Sequence, residues 1–157
     1  MTTQPSMERN LLLVGSSGGH LTQLWALGPW WREHRRTWVT FDTPDAISLL
    51  SEERTIWAYS PTTRNLRNLV RNAGLAWRTL RSTRPDVVVS TGAGVALPFF
   101  ILAWLMRIPT VYIEVYDRID SATLTAKLCR PFTTLMCVQW QEQQALHRNS
   151  VVIGQLL

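Results

Sequence analysis

A chain of 157 residues is long enough for one domain with a substantial core and too short for two of ordinary size. Hydrophobic residues at 46% and charged residues at 17% exclude an intrinsically disordered chain, and the net charge of +5, carried by fifteen arginines and one lysine, points to phosphates, an anionic membrane surface or nucleic acid. Cys129 and Cys137 lack a metal or redox spacing and read as reduced thiols of a cytoplasmic protein, and the polar first ten residues contain no signal-peptide core.

Met1–Arg9 is polar and aperiodic, which predicts a disordered tail ahead of a single domain over residues 10–157. Leu11 to Val14 is an apolar run that breaks into Gly15-Ser16-Ser17-Gly18-Gly19-His20, and Leu21 to Trp31 then reads as a helix. This strand, glycine-rich loop and helix leave amide groups open at the positive end of a helix, where an anion is favoured. Arg36–Phe41 alternates as a strand, Pro44–Ser51 fits a short helix and Thr55–Tyr59 a third strand. In Arg64–Ser82, Leu66, Leu69, Val70, Ala73, Trp77 and Leu80 recur at helical spacing. Val87–Ser90 is a β-branched run typical of a strand buried on both faces, ending at Thr91-Gly92-Ala93-Gly94. Val95–Met106 is apolar but, at about twelve residues, well short of the roughly 20 needed to span a bilayer. Thr110–Glu114 is a fifth strand, Ser121–Cys129 a helix, Thr134–Val138 a sixth strand, Gln141–His147 a short helix and Val151–Ile153 a last extended piece.

Strands alternating with helices predict an α/β fold: a Rossmann-like parallel sheet flanked by helices, with right-handed crossovers. Ligands of such sheets bind beyond the carboxyl ends of the strands, where the strand order reverses. With the order 3-2-1-4-5-6, the loops Gly15–His20, Thr91–Gly94 and Glu114–Arg118 share that rim. Gly15, Gly18 and Gly19 do not give the dinucleotide fingerprint, and no Gly-Lys-Ser/Thr follows, so nicotinamide and nucleotide-hydrolysis chemistry lose ground. His20 is either a residue that caps a turn or a general base or diphosphate contact. Glu114 is the other candidate acid or base. Asp117 and Asp120 lack the D-x-D spacing of metal-dependent sugar transferases, and no metal cluster is visible.

Gly-Ser-Ser-Gly-Gly-His-Leu-Thr-Gln-Leu (15–24), Pro-Asp-Val-Val-Val-Ser-Thr-Gly-Ala-Gly (85–94) and Tyr-Ile-Glu-Val-Tyr-Asp-Arg-Ile-Asp-Ser (112–121), with Lys127-Leu128 and Val138-Gln139-Trp140, resemble the three loops of Alg-type acceptor subunits of split N-acetylglucosaminyltransferases. PssD-like subunits of capsule and exopolysaccharide assembly are similar, and the N-terminal half of MurG more distantly so. The resemblance implies a GT-B glycosyltransferase divided between two polypeptides. This subunit would bind a polyprenyl-diphosphate-linked acceptor, and a partner subunit would hold the nucleotide-sugar donor; no tightly bound cofactor is implied. Gly15, Ser16, Ser17, Gly18 and Gly19, with Thr91, Gly92 and Gly94, would hold the acceptor diphosphate. His20 would sit over the attacking hydroxyl, and Glu114 and Arg118 would contact the acceptor.

Arg64, Arg67, Arg71, Arg78 and Arg81 form a basic arc beside the apolar stripe of the longest helix. Either the stripe packs on the sheet and the arginines face water, or these arginines and Trp77 flank a patch resting on anionic lipid at the cytoplasmic face. Pro29-Trp30-Trp31-Arg32-Glu33-His34-Arg35-Arg36 has the same character. Two further readings are a non-catalytic subunit that recruits the donor-binding partner to the membrane, and a nucleic-acid binder. The last has neither a recognition helix nor an aromatic sheet platform to support it.

Overall fold

The computed structural model describes residues 7–157, so most of the expected tail lies outside the described residues. The chain is already anchored before the first strand: Arg9 donates its N–H to His34 Nδ1 and accepts from the Arg35 amide through its carbonyl.

Seven parallel strands form one sheet: β1 (Asn10–Gly15), β2 (Arg35–Thr40), β3 (Thr55–Trp57), β4 (Val87–Gly92), β5 (Thr110–Ile113), β6 (Leu135–Val138) and β7 (Val151–Val152). Their order is β3-β2-β1-β4-β5-β6-β7, with every pairing parallel. This is the expected order, with Val151–Val152 added as a seventh strand at the edge. The helices are α1 (Gly19–Ala26), α2 (Gly28–Trp31), α3 (Pro44–Leu49), α4 (Leu66–Thr83), α5 (Ala96–Leu105) and α6 (Leu124–Cys129). The helix expected over 21–31 is two helices hinged at Leu27, because Pro29 has no N–H to continue the first. The helix expected over 141–147 is a single 3-10 turn, Glu142–Ala145.

Alternation in β1 sorts the core into two faces. Leu11 and Leu13 pack with Leu21, Leu24, Trp31 and Trp38 on one side; Leu12 and Val14 pack with Ala76, Leu80, Val95 and Phe99 on the other. Each such buried side chain is worth roughly 2 kcal/mol. A third cluster joins Phe100 and Tyr112 to Ala126, Cys129 and Met136. Both cysteines are free and buried, and burial pushes the Cys129 thiol up to about 12.

The Trp30–Arg36 stretch is divided: Trp30, Arg32, Glu33 and Arg35 are exposed, whereas Trp31 and His34 are buried. Trp31 is buried against Trp25 and Trp38, with ring centroids 5.0 and 5.4 Å away. Arg36 lies over Trp31 and forms a two-pronged pair with Glu53 at 2.6 and 2.8 Å, and Trp38 Nε1 donates to the same carboxylate.

Helix α4 sits in an orientation that its apolar spacing does not predict. The residues facing the sheet are Asn68, Asn72, Ala76, Thr79 and Leu80. Asn72 clips onto the backbone of Tyr59, accepting its N–H and donating to its carbonyl, both at 2.9 Å, and Asn68 donates to the Pro61 carbonyl. These bonds satisfy backbone groups of the loop after β3 that burial would otherwise leave unpaired. The apolar stripe is thereby turned outward, by roughly the 100° that separates successive helical residues. Leu66 is 78%, Val70 71% and Trp77 46% exposed. Helix α5 is mainly core, with Trp104 and Leu105 exposed at its end.

Candidate functional site

The register of β1 and β4 brings the glycine loop against the end of β4. Gly15 closes β1, and a Cβ there would lie 3.3 Å from Leu24 Cδ1, so the packing of α1 against the strand end leaves little room for a side chain. Ser16 and Ser17 are half-buried on the loop, and Gly18 and Gly19 are exposed with open space around their α-carbons. Gly18 has φ +73°, the left-handed conformation glycine accepts without strain, and its N–H is held by the Asp45 carboxylate at 3.2 Å. Helix α1 then starts at Gly19, so His20 stands in its first turn at the positive end of the helix.

His20 is fixed by two reciprocal bonds to one residue. Its Nδ1 lies 2.8 Å from the Thr91 carbonyl, and Thr91 Oγ1 donates to the His20 carbonyl at 2.8 Å. A carbonyl can only accept, which assigns the proton to Nδ1 and leaves the Nε2 lone pair available as a base. Desolvation lowers the His20 pKa below its ordinary 6.5, opposed by the Thr91 hydrogen bond and by the negative charges of Asp117 and Glu114. Burial thus favours the neutral form of the ring.

The ring lines a cleft of about 270 Å³, together with Gly19, Gln23, Tyr116, Asp117, Arg118 and Thr123. Arg118 is exposed at its edge, so the cleft offers a neutral imidazole base, a helix N-terminus and a guanidinium together. This combination suits an anionic ligand with a hydroxyl to deprotonate.

Several expected contacts are placed elsewhere. Glu114 is completely buried behind the cleft: its carboxylate accepts from the Val115 amide at 3.1 Å, from the Thr123 amide and hydroxyl at 3.3 and 3.1 Å, and from His147 Nε2 at 3.0 Å. It braces the loop instead of facing a ligand. Thr91 is also fully buried and holds His20. Gly92 has φ +112°, and a Cβ there would meet the Tyr112 hydroxyl at 2.5 Å and His20 Cε1 at 3.4 Å. Its role is to let Tyr112 and His20 approach. Gly94 lines a separate groove beside Thr62.

Four residues to which the sequence assigned no individual role support the cleft: Gln139, Trp140, Gln143 and His147. Gln143 donates to the carbonyls of Val115 and Arg118 at 2.9 and 3.1 Å and accepts from the Gln139 amide. Gln139 donates to Gln23 on α1 and to the Glu114 carbonyl, and Trp140 Nε1 donates to the Tyr116 carbonyl at 2.7 Å. His147 completes the series. Gln139, Gln143 and His147 are all buried. Among the described residues there is no cluster of three or more metal-ligating side chains, and no helix is long and apolar enough to cross a membrane.

The family model "Oligosaccharide biosynthesis protein Alg14 like" matches residues 46–156. Over 75 residues the chain is 31% identical to the UDP-N-acetylglucosamine–N-acetylmuramyl-(pentapeptide) pyrophosphoryl-undecaprenol N-acetylglucosamine transferase of Geobacillus kaustophilus, a match covering 48% of this chain and 20% of that protein. It is 28% identical over 75 residues to the UDP-N-acetylglucosamine transferase subunit alg14 of Schizosaccharomyces pombe, covering 45% of this chain and 36% of the subunit. The fold superposes on Acinetobacter baumannii MurG with a TM-score of 0.76 at 17% identity, covering 94% of this chain and 46% of MurG. Staphylococcus aureus MnaA, in a UDP co-structure, matches with a TM-score of 0.71 at 11% identity over 94% of this chain and 44% of that one. The chain thus spans under half the length of these proteins, in the architecture of the N-terminal half of a GT-B glycosyltransferase.

Proposed function

The chain belongs to the Alg14-like family of oligosaccharide biosynthesis proteins, and from that premise we propose that it is the acceptor-binding subunit of a two-component glycosyltransferase. In this reading a sugar such as N-acetylglucosamine or glucuronic acid passes from a nucleotide sugar, held by a partner subunit, to a polyprenyl-diphosphate-linked acceptor. The observation that carries it is His20: one ring nitrogen is tied to the Thr91 carbonyl and the other is free beside Arg118 in an open cleft.

Each step follows from a group in place. The half-exposed Ser16–Gly19 loop, the start of α1 and Arg118 bind the acceptor diphosphate, with the Gly18 amide already committed to Asp45. His20 Nε2 removes the proton from the acceptor hydroxyl as that oxygen attacks the anomeric carbon of the donor. The nucleotide diphosphate leaves from the opposite side, so configuration inverts. Thr91 and Glu114 act through others: Thr91 holds the imidazole, and Glu114 with His147 holds the loop that carries Arg118.

The outward stripe of α4 is the surface we assign to the membrane. Leu66, Leu69, Val70 and Trp77 stand beside Arg64, Arg67 and Arg78, an apolar strip with a cationic margin that matches an anionic bilayer surface. Arg71 contributes less, because its guanidinium lies 3.8 Å from the centre of the Tyr59 ring. The partner contact is assigned to the exposed Val151–Leu157 end.

The test is reconstitution. The chain, co-expressed with a candidate donor-binding subunit, is assayed with a panel of nucleotide sugars and polyprenyl-diphosphate-linked sugars on anionic vesicles. Transfer that requires both polypeptides is expected; full transfer by this chain alone contradicts the two-component reading.

A further inference from the structure

Next to the cleft lies a larger groove of about 550 Å³, walled by Leu66 and Leu69 of α4, Leu97 of α5, and Leu124 and Leu128 of α6, with Arg64 at its rim. Three helices meet there, yet Leu66 is 78%, Leu124 71% and Leu128 47% exposed. Its size is within the range of small-molecule sites. The groove adjoins the cleft along the chain at two points. Thr123 lines the cleft and Leu124, the next residue, lines the groove; a Cβ on Gly92 would lie 3.4 Å from His20 Cε1, and Gly94, two residues on, lines the groove.

We propose that this groove seats the first isoprene units of the acceptor's lipid, so that the subunit binds the tail of a single prenyl diphosphate as well as its head. An anionic head followed by a branched apolar chain matches a cleft that offers a helix N-terminus and Arg118, followed by leucine walls. The inference rests on the diphosphate reading of the cleft but adds a separate commitment: affinity depends on the tail in the absence of any membrane.

The experiment measures binding of pyrophosphate, farnesyl diphosphate and farnesol to the full chain in vesicle-free, detergent-free buffer, below the micelle threshold of the prenyl compounds. Farnesyl diphosphate should bind at least about tenfold more tightly than pyrophosphate, because apolar area leaves water in the groove. Leu124→Asp and Leu66→Asp, on side chains too exposed to endanger folding, should abolish that gain while leaving pyrophosphate affinity within about twofold. Equal affinity for pyrophosphate and farnesyl diphosphate in the wild type overturns the groove and leaves the diphosphate cleft standing. Farnesol and farnesyl diphosphate binding equally, with no pyrophosphate bound, overturns the cleft instead. Variants that lose vesicle binding but keep the farnesyl gain make the groove wall a membrane contact only, and refute the proposal.

Discussion

Gly92→Ala tests the geometry behind His20 with a single methyl group. At φ +112° an L-residue is strained, at a cost of about 1–3 kcal/mol. The added Cβ would also lie 2.5 Å from the Tyr112 hydroxyl and 3.3 Å from Cζ of the same ring. That ring is buried between Phe100 and α6 and has no free direction to move, so the overlap adds a similar overpacking cost. The sum, about 4 kcal/mol, corresponds to a drop in Tm of roughly 8–16 °C for a chain of this length. Because the two costs have different origins, Tyr112→Phe should separate them. Deleting the hydroxyl removes the closest contact and loses only its 3.4 Å bond to Thr123 Oγ1. Gly92→Ala/Tyr112→Phe should therefore recover about 1–2 kcal/mol over Gly92→Ala, and no more, since the backbone strain remains. Differential scanning calorimetry of the four proteins closes the cycle. A Gly92→Ala protein melting within about 2 °C of wild type, or one that Tyr112→Phe fails to improve, refutes this account of how β4 and β5 frame the histidine.

Three further outcomes are expected. His20 is held below its ordinary 6.5, so the acid limb of a kcat/KM–pH profile should fall below that value, and Asp117→Asn, which removes a charge that raises the His20 pKa, should move it lower still; a limb above 6.5 contradicts the burial argument. The same lowered value means the unfolded chain binds the proton more readily. The stability it affects is complete above pH 6.5 and is lost as pH falls from there through the folded-state value, which urea midpoints across pH 4–8 will show. Glu114→Ala leaves His147 unpaired in the interior, removes the acceptor of the Thr123 amide and hydroxyl, and should cost about 3 kcal/mol and raise acceptor KM. Glu114→Gln should restore most of both, whereas a loss of kcat at unchanged Tm and KM makes Glu114 catalytic. Replacing Leu66 and Val70 by serine and reversing Arg67 and Arg78 should change stability by less than about 0.5 kcal/mol per site yet move the protein off anionic vesicles in a flotation assay; unchanged flotation removes α4 from the membrane.

The sheet was legible because Leu11–Val14, Val87–Ser90 and Thr110–Ile113 are short apolar runs ended by polar or glycine turns, and parallel sheets bury such runs on both faces. His20 was legible for a related reason: it follows a glycine loop at the one place where strand order reverses. The orientation of α4 was not. Helical spacing reveals an apolar stripe but not what the helix packs against, and here the side turned to the sheet carries two asparagines recruited by the backbone of Tyr59 and Pro61. Glu114 read as a site residue because a carboxylate at a strand end normally meets solvent. Its partner His147 is 33 residues away, a pairing that no local pattern reports. Thr91, Gly92 and Gly94 form one motif in sequence, yet they hold the histidine, admit Tyr112 and border the leucine groove respectively.

The central claim is that the free nitrogen of His20 removes the proton from the acceptor. Its most direct test is steady-state transfer by the assembled two-subunit enzyme carrying His20→Ala, with kcat and acceptor KM measured separately. A fall in kcat of about 10²–10⁴-fold, with assembly intact and KM within a few-fold, is the result this structure predicts. Wild-type kcat in that variant would contradict it.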